Sequence, residues 1–472
     1  MNMIRPTFEE AKRLAVGHMI VPIALEIFSD IRTPMEILKV LKSRGKNAYI
    51  LESVENADSW GRYTFLGYNP SMTVTGADGF VTIKTASETT KNVGNPHDVL
   101  KEIVHGYKSP RIPYLPTFTG GFVGYFAYDY MNSGEFCLML HKQVIAFDHL
   151  RQKIFLITNI ETSNLEQNYI EGVSALKDME ALVTSERISE YPGGRLASAF
   201  TQSFSEAEFV ETVEKVLGYI RAGEVMQCVP SIKFTADYEG ELLQAYRTLR
   251  TVNPSSYMFY MEFEDMQICG ASPETLVSLN DGVVSTYPLA GTCRRTEDQA
   301  ENKRLIAELL KDPKELVEHE MLVDLAKTDL EKVCEPSSVN VEEYRTIKAC
   351  SHVYHIKSKV TGRIKPECDV FSAMTAALPA GTLSGAPKER AMEIIAEVEG
   401  EKRGVYGGAV GYIDFAGDMD LCIGIRMAVL KDGKVNIQAG AGVVADSKPI
   451  NEYNECLNKA KAMMLAIKQG SN

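Results

Sequence analysis

The chain has 472 residues, 45% hydrophobic and 24% charged, with a formal net charge of −13, the profile of an ordinary globular protein of two or three domains. The acid excess and the lack of any basic block exclude nucleic acid and anionic membrane surfaces as partners. Nine cysteines without a CxxC pair give neither a zinc ribbon nor a disulfide framework, and no apolar run reaches membrane-span length, so a cytoplasmic location is expected.

In chain order, short β-like runs such as SMTVTG, GFVTIKT and RQKIFLITNI fill the first part, separated by Gly, Asn and Asp turns. A helix is predicted near 162–185. The polar stretch SEYPGGRLASAFTQ (189–202), broken by Pro-Gly-Gly, divides an N-terminal region, 1–195, from a second, 196–472. Ser205 and Glu208 form a capping-box signature, with Phe209, Val213, Val216, Leu217 and Ile220 following at helical spacing. Strands SSYMFYMEF, MQICGA and GVVSTYPLAG then precede helices predicted at 298–311 and 313–333. A β-like segment (345–363) and a helix (368–377) follow. PAGTLSGAPKERAMEII, from Pro379, reads as a loop opening a helix, whose free N–H groups favour an anion. Strands GGAVGYIDF, DLCIGIRMAVL and KVNIQAGAGVVA lead to a last helix, 449–468. Strands grouped together, with helices grouped between them, predict an α+β fold of antiparallel sheets.

Two helices carry paired acids. Glu315 and Glu318 lie three apart on one face, and Leu322 and Leu325 continue that stripe inward. Glu452 and Glu455 repeat the spacing, with Lys459 one turn on. Two Glu-x-x-Glu pairs make an oxygen-only donor set suited to Mg²⁺, while two solvated acidic faces are the alternative.

Ten ordered stretches, among them LESVENADSWGRYTFLGYNP, GGFVGYFAYDY, NPSSYMFY, GASPETLV, PLAGT, ELVEHEMLVDL, PAGTLSGAPKERAMEII, YGGAVGYIDF, LCIGIRMAV and QAGAGVVADS, closely resemble the component I family of anthranilate synthases, which are chorismate-utilising enzymes. The resemblance implies antiparallel β-sheets packed as a sandwich with helices on the outside, and an active site in the C-terminal region. It implies that Thr382, with Gly440, Ala441 and Gly442 of QAGAG, holds the ring carboxylate of chorismate, and that Tyr406 and Arg426 clamp the pyruvyl carboxylate. Ala290, Gly291 and Thr292 of PLAGT complete the substrate site. By the same resemblance Glu315, Glu318, Glu452 and Glu455 hold Mg²⁺, with Lys459 beside it.

The implied reaction adds ammonia at C2 as the C4 hydroxyl leaves, then eliminates pyruvate to give anthranilate, the first step of tryptophan biosynthesis. Glu274 matches the acid for the leaving hydroxyl, and His355 the histidine near C2 deprotonation. Gln227 stands where hydroxylating relatives carry a water-activating lysine, and Ala290 where some aminodeoxychorismate synthases carry a nucleophilic one. Both point to free ammonia. None of the cysteines sits in a glutaminase elbow, so a separate glutamine amidotransferase subunit is the expected ammonia source, making a hetero-oligomer. Glu52, Ser53, Asn253, Pro254, Tyr257, Met258, Tyr412 and Cys422 match the family's tryptophan feedback pocket, with Glu52 pairing the ammonium. Aminodeoxychorismate synthase, a hydroxylating relative and a non-catalytic amino-acid-sensing partner of a glutaminase are the alternatives.

Overall fold

A computed structural model describes residues 3–53, 60–77, 79–93, 95–185, 193–350 and 353–471. Among them, strands assemble into two large antiparallel sheets of thirteen and twelve strands. Each sheet mixes strands from both sides of the stretch at 189–202, of which 189–192 lie outside the described residues. Tyr49–Glu52 pairs with Tyr257–Glu262 in the first sheet, and Gly121–Phe126 with Ala409–Asp414 in the second.

The alternation of side chains along each strand builds the layers. In Gln143–Asp148, Ile145 and Phe147 face an outer core while Val144 and Ala146 face the space between the sheets. In Ala409–Asp414, Ala409 and Ile413 face the opposite outer core and Val410 the same interior. Helices Leu165–Thr184, Glu206–Arg221, Leu243–Val252 and Pro449–Gln469 cover the outer face of the first sheet. Pro313–Val333 and Val370–Ala377 cover that of the second. The result is a sandwich of antiparallel sheets with helices outside, as expected. Phe259, 1% exposed, fills the interior, and truncating it to Ala would cost about 3–5 kcal/mol.

Local chemistry sets several boundaries. Ser205 caps Glu206–Arg221 with the full capping box to Glu208, and Phe209, Val213, Val216 and Leu217 are its buried stripe. The predicted 313–333 helix is Pro313–Val333, started by Asp312, whose side chain accepts from the N–H groups of Lys314 and Glu315. Three expectations need correction. The 345–363 segment is two paired strands, Asn340–Ala349 and Val353–Arg363. GVVSTYPLAG is broken into Val283–Thr286 and Leu289–Arg294, because Pro288 cannot donate to the ladder. DLCIGIRMAVL is not one strand either: Met419–Ile423 belongs to the second sheet and Met427–Lys431 to the first. The chain changes sheets at Gly424–Arg426, and Arg426 takes a left-handed backbone (φ 52°) there rather than lying in a strand.

Candidate active site

Where the chain changes sheets, a cleft of about 1510 Å³ opens, lined among others by Thr275, Tyr287, Thr292, Lys348, His355, Arg426, Glu455 and Lys459. Thr292 and His355 are directly paired across neighbouring strands, and the Thr292 hydroxyl lies 3.0 Å from Nδ1 of His355. The ladder bulges at Gly291 (φ 76°), where a Cβ would stand 2.9 Å from Ile356 and 3.3 Å from the Glu315 carboxylate. Glycine there lets Glu315 reach the backbone, and the Thr292 N–H donates to its Oε2 at 3.2 Å. Burial lowers the His355 pKa, opposed by the Gly291 carbonyl and assisted by Lys348 and Arg426. The ring is therefore neutral near pH 7 and able to take a proton.

Glu274, at the foot of the second sheet, is the opposite case. Burial pushes its carboxyl up to about 7, against the pull of Thr382, Lys459, Lys348 and Arg426. Thr382 Oγ1 donates to Glu274 Oε1 at 3.1 Å. Glu274 sits between Pro273 and Thr275, which line the cleft together with His355, so a carboxyl raised by burial and an imidazole lowered by it lie in one region, the pairing a proton-in, proton-out reaction needs.

Arg426 is the cation at the base of the cleft. Burial lowers its pKa, and the charges of Tyr406, Glu455 and Glu274 pull the other way. Among the described residues its guanidinium makes no hydrogen bond or ion pair. An enclosed guanidinium without a partner is a standing site for a planar anion. Nearby, the Tyr406 hydroxyl lies 3.0 Å from the point where a Cβ on Gly440 would stand, so only glycine fits. The Gly440 carbonyl accepts from Lys459 Nζ at 2.9 Å. Thr382 lies in the short turn Gly381–Leu383, and the α-helix begins only at Lys388. The Gly-Thr stretch is therefore a separate loop, not the helix N-terminus expected from its composition. Gln227 sits behind Gly442, whose Cβ would stand 2.9 Å from Nε2, and the Gln227 Oε1 is buried without a partner. Ala290 and Ala441 are buried small residues of the same walls.

The four glutamates come from two helices, Pro313–Val333 and Pro449–Gln469, with Glu315 and Glu452 in the first turns and Glu318 and Glu455 one turn further on. Lys314 bridges the helix starts by pairing with Asp446 at 3.2 Å. Burial raises the pKa of Glu318, and Glu315 and Glu455 raise it further. Burial likewise raises Glu452, with Ser447 opposing and Glu455 reinforcing. The two pairs therefore share one electrostatic field. Lys459 offsets part of it, lying 2.6 Å from Glu455. The donors are all oxygen, as a hard cation requires. Among the described residues, no three acids, histidines or cysteines already close around a common point.

A second, smaller cavity of about 60 Å³ is lined by Glu52, Ser53, Tyr257, Met258, Tyr412, Asp420 and Cys422 with several neighbours. Six of the eight residues matched to the feedback pocket meet here, whereas Asn253 and Pro254 line the large cleft. The space holds about two water molecules, far less than an indole ring. Glu52 is already committed: Arg250 donates to it at 2.5 and 3.0 Å, and the Tyr246 hydroxyl at 2.5 Å. Among the described residues Asp420 has no cation partner; it accepts from the Tyr257 hydroxyl at 2.8 Å, and burial pushes its carboxyl up to about 7. Sequence reasoning missed Asp420, Lys348 and Arg250.

The model of the chorismate binding enzyme family matches residues 48–465. The chain is 39% identical to anthranilate synthase component 1 of Acetivibrio thermocellus, over 99% of each chain, and 39% identical to that of Acinetobacter calcoaceticus, over 98% of each. It superposes on anthranilate synthase component I from Streptococcus pneumoniae with a TM-score of 0.77 at 36% identity, covering 93% of this chain and 98% of that one. The menaquinone-specific isochorismate synthase of Escherichia coli shares the fold, with a TM-score of 0.74 at 19% identity and 98% coverage of both chains. By the family model and by its likeness to these relatives over nearly its whole length, this chain belongs to the chorismate-binding enzymes, in the family of anthranilate synthase component 1.

Proposed function

We propose that the chain converts chorismate and ammonia to anthranilate and pyruvate, and that Arg426, enclosed and unpaired on the cleft, is the observation that carries this reading. Chorismate is a dicarboxylate, and the protein is acidic overall, so binding demands local cations. Arg426 and the Tyr406 hydroxyl take the pyruvyl carboxylate. Thr382 and the backbone at Gly440 and Gly442 take the ring carboxylate, with Lys459 close by. Mg²⁺ held by Glu315, Glu318, Glu452 and Glu455 would supply the charge that lets these glutamates tolerate an anionic ring.

Glu274, its carboxyl raised to about 7 and so protonated below neutral pH, donates its proton to the departing C4 hydroxyl as ammonia forms the bond to C2. His355, neutral and oriented by Thr292, accepts the C2 proton as the pyruvyl group leaves and the ring becomes aromatic. Gln227 and Ala290 lack any group able to deprotonate water or attack carbon, which favours ammonia as the nucleophile. A separate glutamine amidotransferase subunit supplies it, forming a hetero-oligomer.

The small cavity is the proposed tryptophan feedback site. An indole requires the lining side chains to part, and the incoming ammonium meets Glu52, shared with Arg250, and the uncompensated Asp420. The test of the catalytic reading is mass spectrometry of the product formed from chorismate, Mg²⁺ and ammonium. Anthranilate is expected. Aminodeoxychorismate or isochorismate as the end product would refute it.

A further inference from the structure

Arg403 lines neither cavity, yet its contacts converge on the substrate-facing segments. Its side chain is 2% exposed and that of Glu399 3%. Nε donates to Glu399 Oε2 at 2.8 Å and Nη2 to Oε1 at 2.5 Å, a two-point pair. The remaining donors leave the pair for backbone: Nη1 reaches the Leu383 carbonyl at 2.7 Å and Nη2 the Val229 carbonyl at 2.6 Å. Glu399 Oε1 in turn accepts from the Ser231 N–H at 2.8 Å and its hydroxyl at 2.7 Å. Gln438 Nε2 donates to that same hydroxyl at 2.8 Å. The guanidinium also lies over the rings of Tyr128 and Tyr406, at 4.5 and 5.6 Å from their centroids.

Each of these anchors adjoins a residue of the site. Leu383 follows Thr382. Val229 is two residues past Gln227 and donates to the Ser384 carbonyl at 3.0 Å. Ser231 is paired with Gly440 in the ladder, and the Ala441 N–H donates to the Pro230 carbonyl at 3.1 Å. Tyr406 belongs to the clamp itself. These pieces come from three distant parts of the chain, and among the described residues one guanidinium touches or braces them all.

We propose that Arg403, with Glu399, is the positioning residue that sets the spacing between the two carboxylate-binding halves of the cleft. A buried ion pair adds little to stability compared with apolar packing, so what it contributes here is geometry. A lysine cannot replace it, because an ammonium lacks the planar fork needed to hold two carbonyls and a carboxylate at once. The substrate carboxylates persist through the reaction, so their contacts are uniform binding and their loss appears in KM rather than kcat.

The inference rests on the proposed chorismate site and is tested with Arg403→Lys and the milder Ser231→Ala. Chorismate KM and kcat are measured by anthranilate fluorescence, the chorismate Kd by calorimetry, and the fold by circular dichroism. Arg403→Lys is expected to raise KM and Kd about tenfold or more with kcat within about threefold, and Ser231→Ala to raise both in the same sense but less. Unchanged KM and Kd in folded variants of an active enzyme, or a fall in kcat alone, would overturn the inference and leave the proposed function standing. If Arg403→Lys fails to fold, Ser231→Ala decides by the same readings. A wild-type protein that neither turns over nor binds chorismate removes the proposed function instead, and this inference with it.

Discussion

Replacing Glu274 with Gln separates catalysis from stability. The carboxyl titrates near pH 4.5 in an unfolded chain and is pushed up to about 7 by burial in the fold. Between those values the native state holds a proton that the unfolded state releases, so stability falls as pH rises from about 4.5 to about 7 and the cost is complete above that. A shift of this size corresponds to about 3 kcal/mol. Gln keeps the shape, and its carbonyl can still accept from the Thr382 hydroxyl, but it carries no charge to bury. The variant is therefore expected to be more stable than the wild type by up to about 3 kcal/mol at pH 8, with the difference vanishing toward pH 4.5. It also has no proton to give the leaving hydroxyl, so kcat should fall by about 10²–10⁴-fold. In the wild type, the acid-dependent limb of kcat/KM should decline as pH rises through about 7. Urea unfolding at pH 5 and pH 8 and anthranilate fluorescence read the two effects. A variant no more stable at pH 8, or one with wild-type turnover, would refute the reasoning.

Glu318→Gln, which removes one acid of the four, should raise the Mg²⁺ concentration giving half-maximal activity by at least about tenfold in a metal titration while the thermal melt is preserved. Thr292→Val removes the hydroxyl 3.0 Å from His355 Nδ1; kcat should drop about tenfold with little change in KM, read from steady-state kinetics. Gly291→Ala forces a Cβ into a left-handed position 2.9 Å from Ile356 and should cost about 1–3 kcal/mol in urea unfolding. Tyr257→Phe strips the buried Asp420 of its donor, so stability should fall by about 1–3 kcal/mol, more at pH 8 than at pH 5, and tryptophan inhibition of turnover should weaken.

What the sequence disclosed was mostly local. The Ser205–Glu208 box, the 313–333 helix and the β-like run RQKIFLITNI each record a rule acting within a few residues, and the structure follows them. The layer order was recoverable only through family resemblance, because pairings such as Met258 with Glu52 join residues some two hundred positions apart and leave no periodic trace. Site residues divide the same way. His355 and Thr292 could be named from motifs, but the bulge at Gly291 that brings Glu315 onto the Thr292 N–H is a tertiary event. Glu52 was expected to pair the ammonium of tryptophan, and its partner Arg250 went unread because it lies on a helix far along the chain. Arg426 read as a strand residue because LCIGIRMAV is an almost unbroken apolar run; nothing local says that the chain leaves one sheet for the other at that residue.

The central claim is that the cleft is a dicarboxylate site built on Arg426 and completed by a divalent cation. Calorimetric titration of chorismate into the protein, with and without Mg²⁺ and with Arg426→Gln alongside, measures this without relying on turnover. Binding that requires Mg²⁺ and weakens by about tenfold or more in the folded variant is the expected result. Equal affinity in all three titrations would contradict the account.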